Sequence, residues 1–161
     1  MAMRIPDFRR ENISLYTIPV FWAIIMYPRY YAATTYNKHT QKSLDGRKPR
    51  EFAQTIQDSA QLDATTKGRL ARAEAAVANG FENFGPFAAA VVAGSAAKLD
   101  PAFLNSVTIG FLVSRVVYNW VYITGESTWK AKMRGATYMS GMGMLFAIFI
   151  SAGNRLKQAV L

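Results

Sequence analysis

Four apolar runs, each near the length of a bilayer crossing, divide this chain of 161 residues: 13–31, 72–97, 103–124 and 134–153. A helix needs ~20 apolar residues to cross the hydrocarbon of a membrane. There, every backbone N–H and C=O must be paired within the segment or with a neighbour. The runs therefore predict an all-α integral membrane protein, a four-transmembrane-helix bundle forming one domain over 1–161. Residues 37–69 read as one polar loop with a short surface helix near 51–62, because they lack the apolar content for a core of their own. Pro19 and Pro28 predict kinks in the first run. Asp100 and Pro101 predict a capped, tight turn between the second and third. Gly141 and Gly143 predict close helix approach in the fourth. Residues 1–12 are polar and mixed in charge, with no small-residue cleavage site after the run that follows. That run is therefore expected to be a retained span rather than a cleaved signal.

The formal net charge is +9. In a soluble chain that excess would suggest nucleic acid; here the basic residues lie between apolar runs, which argues for membrane topology and against a nucleic-acid partner. Lys38, Lys42, Arg47, Lys48, Arg50, Lys67, Arg69, Lys130 and Lys132 fall in the first and third loops, against Arg4, Arg9, Arg10, Lys98, Arg155 and Lys157 on the other side. The excess predicts that loops 37–69 and 125–133 are cytoplasmic. Cysteine is absent and His39 is the only histidine. A disulfide framework, a cysteine nucleophile and a Cys- or His-based metal site are thereby excluded or disfavoured, and no metal is expected.

Polar residues inside the apolar runs carry the functional signal. Glu82 is a carboxylate in a segment that otherwise reads as membrane-embedded, so it should face a partner or a wet cavity. Arg72, Asn79, Glu82 and Pro86 are spaced by seven, three and four residues, which puts them on one stripe of the second helix. Arg115, Tyr118 and Tyr122 share a face of the third, and Arg134 and Tyr138 a face of the fourth. With ~1.5 Å rise per residue, most of these groups come within roughly two turns of one membrane level, with Arg115 deeper. Glu82 then has Arg115 and Arg134 as candidate partners. A buried Glu–Arg pair can simply lock helices together, and boundary tyrosines often form an aromatic belt. The combined pattern points further, to a polar site for a small anionic ligand, since arginine forks grip carboxylates and an arginine beside a thiol stabilises the thiolate. Arg29 reads either as an arginine snorkelling to the interface or as one facing the site.

The same residues resemble the family of membrane-associated proteins in eicosanoid and glutathione metabolism (MAPEG), which includes microsomal glutathione transferases. Its second helix often reads R-A-x-R-A-H-x-N-x-x-E-N, and this chain matches at Arg72, Ala73, Ala76, Asn79, Glu82 and Asn83. Arg115, Tyr118 and Tyr122 match its third helix, and Arg134 with Tyr138 its fourth. The resemblance implies a trimer with sites between subunits, in the endoplasmic reticulum, binding glutathione near the cytoplasmic face. It implies Arg134 and Tyr138 as catalytic residues, with Arg134 activating the thiol. Arg72, Asn79, Glu82, Arg115, Tyr118 and Tyr122 would hold the tripeptide, and an apolar electrophile would arrive from the bilayer; Arg29, which no family motif covers, is a further binding candidate, toward a neighbour's site. Two positions depart from the motif: Ala75 stands where the family has arginine, and Val77 where it has histidine. Those departures leave open a glutathione-independent isomerase or cyclase on the same fold, or a non-catalytic lipid-binding scaffold.

Overall fold

A computed structural model describes residues 7–160; Arg4, counted above with the termini, lies outside them. Among the described residues the secondary structure is entirely helical. A 3-10 turn, Ser14–Tyr16, leads into α1, Thr17–Thr40, and a second, Pro49–Glu51, comes before the next helix. A short α2 spans Phe52–Asp58. Three long helices follow: α3, Ala64–Ala96; α4, Pro101–Thr124; and α5, Thr128–Val160.

Capping explains where α3 and α4 begin. Asp63 accepts from the Thr66 N–H at 2.9 Å and from the Thr66 hydroxyl at 2.7 Å. Those bonds satisfy a free donor of the first turn and hold the Asp63 carboxyl below its usual range. Helix α3 therefore starts eight residues before the apolar run at 72, because the cap and not the membrane boundary sets its start. Asp100 caps α4 through the Phe103 N–H at 2.9 Å, with Pro101 in the first turn, as the sequence predicts.

Helix α1 also outruns its apolar segment. Ala32, Tyr36 and Thr40 continue one buried stripe past Tyr31, and the helix stops only where Gln41 enters the left-handed region at φ 56°. The polar connection shrinks accordingly to 41–63, and α2 folds back so that Phe52 and Ile56 are buried. Pro19 does not interrupt α1. It occupies the first turn of α1, where a backbone donor has no partner in any case. Pro28 lies mid-helix, and α1 runs on through it.

Helix α3 packs against α1, α4 and α5, while α4 packs against α5 and α1. Phe21, Phe87 and Phe111 meet at the centre of the main core, with Leu104, Leu145 and Ile148 around them. Gly94 lets three helices converge: a Cβ there would stand 2.8 Å from the Leu104 side chain and 3.1 Å from Ile148. A second apolar cluster, including Tyr36, Ile56, Leu70 and Ile123, closes the α2 end of the bundle.

Helices α4 and α5 are long and apolar enough to cross a membrane. The outward face of α4 is apolar as well, with Ile109, Val113, Val116 and Trp120 exposed, and α5 exposes Phe146 and Ile150. A continuous apolar exterior of this kind marks a surface that meets another apolar medium.

Candidate functional site

Arg115 lies deep in α4, 3% exposed, and has no acidic partner among the described residues. Three aromatic faces enclose its guanidinium carbon, at 5.1 Å for Phe111, 5.0 Å for Tyr118 and 5.8 Å for Tyr138. The negative π faces offset part of the cost of taking the charge out of water. Its Nη2 donates to the Thr137 carbonyl on α5 at 2.6 Å. Gly141, one turn further along α5, makes room for that contact, since a Cβ there would collide with the Arg115 guanidinium. Gly141 thus serves the close packing expected of it, although what approaches is a side chain rather than a helix backbone. A Cβ on Gly143 would meet nothing within 4 Å.

The aromatic ladder continues outward from Arg115. The Tyr118 and Tyr138 rings lie 6.5 Å apart, and Tyr118 and Tyr122 lie 5.4 Å apart. Arg134, from the start of α5, sits over the Tyr122 ring at 4.6 Å. Five residues that the sequence placed on two stripes therefore meet at the α4–α5 contact. Two guanidinium groups stand at the ends of a three-tyrosine ladder, with no carboxylate in ion-pair contact among the described residues. A cation cluster without internal counter-charge attracts an anion, and the tyrosine hydroxyls add donors.

The α3 residues go elsewhere. Arg72 donates through Nε to the Ile123 carbonyl at 3.2 Å and pairs with Glu126 at 2.8 Å, so it pins the α4–α5 connection. Asn79 is half-buried, and its carbonyl accepts from the Asn83 side chain at 2.7 Å. Glu82 is exposed and contacts neither Arg115 nor Arg134 within the chain. The buried face of α3 is instead Ala73, Ala76, Val77, Asn83, Phe87 and Ala90. The expected partnership of Glu82 with those arginines is not made inside one copy. Arg29 does face the bundle, but its partner is Glu74, at 2.7 Å.

Asn119 was not among the expected residues. Its side-chain Nδ2 donates to the Ile24 carbonyl at 3.0 Å. Pro28 lies four residues after Ile24 and has no N–H, so that carbonyl loses its helical donor. Asn119 replaces it from the neighbouring helix, at the floor of an apolar groove of about 380 Å³ between α1 and α4 that Tyr27, Tyr31 and Trp120 also line. The signal was present in the sequence: a mid-span proline requires a donor from elsewhere. Asn119→Leu is expected to lower stability by about 1–3 kcal/mol by leaving that carbonyl unpaired. Adding Pro28→Ala should recover most of the loss, as read by thermal unfolding in detergent. A double variant no more stable than Asn119→Leu would remove the Pro28–Asn119 coupling.

Neither the curated proteins nor the solved structures compared with the chain gave a match. A family match spans residues 13–154, from the turn before α1 to near the end of α5, and includes every residue of the arginine–tyrosine ladder. The chain belongs to the MAPEG family.

Proposed function

We propose that the protein is a membrane-bound, glutathione-dependent transferase or isomerase acting on hydrophobic electrophiles drawn from the bilayer. The observation that carries this reading is the uncompensated pair of guanidinium groups, Arg115 and Arg134, at the two ends of the Tyr118–Tyr122–Tyr138 ladder. Family membership supports the reaction class. Glutathione supplies a nucleophilic sulfur and carboxylates, and both suit a site rich in cations and phenol donors. In this reading Arg134 faces the sulfur and holds it as thiolate, while Tyr138 and Tyr122 orient it by hydrogen bonding.

Glu82 and Asn79 enter through a second copy. An exposed carboxylate at membrane depth is costly, and trimers are general in this family. We place the Asn79–Glu82 face of one copy against the Arg134 face of the next, where Glu82 would hold the ligand's α-amino group. All four long helices are then spans, with 41–63 and 125–127 on the cytoplasmic side.

Titration calorimetry in detergent tests the reading directly. Glutathione should bind the wild type, and a chloronitrobenzene electrophile should be conjugated with release of chloride. Absence of glutathione binding would instead favour an isomerase or cyclase acting on an apolar metabolite alone. The Arg29–Glu74 pair favours that second reading, because it removes one cation from the set available to an anionic tripeptide.

A further inference from the structure

Arg29 is an expected ligand-binding residue whose charge is already matched by a carboxylate in its own chain. Its Nη2 donates to Glu74 Oε2 at 2.7 Å, and the Glu74 side chain is only 9% exposed. The Phe52 ring from α2 lies 5.4 Å from the guanidinium carbon and covers one face. Only half of the usual two-bond fork is formed: Arg29 Nε and Glu74 Oε1 are both buried and have no hydrogen-bond partner among the described residues. A ligand carboxylate that engaged Arg29 would need this same fork. To enter, it must displace Glu74 and leave it as a buried, unpaired charge. Arg115 and Arg134 have no such internal rival among the described residues.

We propose that Glu74 is an internal competitor for ligand carboxylates at Arg29 and so sets the anion specificity of the site. The chain then recognises a thiol peptide through one carboxylate fewer than glutathione offers, and peptides blocked at the carboxylate nearest α1 are accepted as readily. This inference rests on the glutathione reading above.

The test compares glutathione with its two monoethyl esters by calorimetry on the full-length protein in detergent. Wild type is expected to bind one of the esters within about twofold of glutathione. Glu74→Gln should tighten glutathione by about tenfold and leave that ester unchanged, because the freed fork recognises only the ionised carboxylate. The double variant Arg29→Met, Glu74→Met leaves no lone buried charge, so it decides the matter even if Glu74→Gln does not fold. It should bind glutathione within about twofold of wild type. A loss of more than about tenfold in the double variant makes Arg29 a direct ligand contact and overturns the proposal. Equal gains for glutathione and both esters in Glu74→Gln also overturn it. Residue-resolved modification by phenylglyoxal reads Arg29 without glutathione: slow in wild type and faster in Glu74→Gln. If no variant binds glutathione, the preceding functional reading falls, and the phenylglyoxal rates alone decide this one, an unchanged rate overturning it.

Discussion

Replacing Arg134 by alanine is expected to cut glutathione conjugation at pH 7 by roughly 10- to 100-fold, with most of the loss returning at pH 9. A free thiol titrates near about 8.5, so only about 3% is thiolate at pH 7. A cation that lowers this value by about two units raises the thiolate fraction to about three quarters. Arg134 is the residue proposed for that role: it carries no ion pair among the described residues, and the Tyr122 ring at 4.6 Å covers the guanidinium without neutralising it. The sign follows from the direction of the shift. Removing the cation returns the thiol toward its free value, so the rate–pH profile moves to higher pH. Arg134→Lys keeps the charge but not the planar fork and should fall between the two. An equal loss at pH 7 and pH 9 would mean that Arg134 orients the ligand without setting its protonation. Unchanged turnover would remove it from the mechanism.

What could be read from the sequence divides along a physical line. Spacing places residues on a common face, and rise per residue places them at a common depth. Both hold for Arg115, Tyr118 and Tyr122 on α4 and for Arg134 and Tyr138 on α5, and these five do meet. Neither quantity says toward which neighbour a face is turned. For α3 the answer depends on which side packs most closely, and its packing side mixes the large residues Leu70, Val77, Phe87 and Val91 with the small ones Ala73, Ala76, Ala90 and Gly94, which are buried because they admit close neighbours. Near the motif the buried positions include Ala73 and Ala76, which barely differ from the exposed or half-buried alanines beside them, so the outward turn of Glu82 was not legible. Glu74 was missed for a related reason. It occupies an unspecified position of the second-helix motif, and its partner lies 45 residues away on α1. The helix ends of α1, α3 and α5 were hidden because polar turns extend each helix past its apolar run, under the control of caps and buried stripes rather than of hydropathy.

Phe111→Ala should be among the most damaging substitutions in the chain, and comparison with Phe87→Ala shows how the core supports the site. Phe111 stacks on Phe87 at 4.5 Å and meets Phe21 edge-on at 5.1 Å. Its ring is also one wall of the Arg115 enclosure. Helices packed in lipid gain little from hydrophobic transfer, so the loss is mainly of dispersion contacts around a cavity that the rigid bundle cannot fill. Truncation of a fully buried phenylalanine costs on the order of 3–5 kcal/mol in well-packed interiors. Phe87 is equally buried and shares the same triad, but Arg115 stacks on Phe111. Both alanine variants should therefore melt at lower temperature in detergent by similar amounts. Phe111→Ala should lose additional glutathione affinity, because Arg115 can swing from the Thr137 carbonyl once one of its aromatic walls is gone. Phe111→Leu, which fills most of the cavity but offers no π face, should recover stability more than affinity. If Phe87→Ala and Phe111→Ala lose stability and affinity in the same ratio, the ladder is sustained by the bundle as a whole. A selective loss in Phe111→Ala instead ties the Phe21–Phe87–Phe111 core to the anion site through the single ring they share.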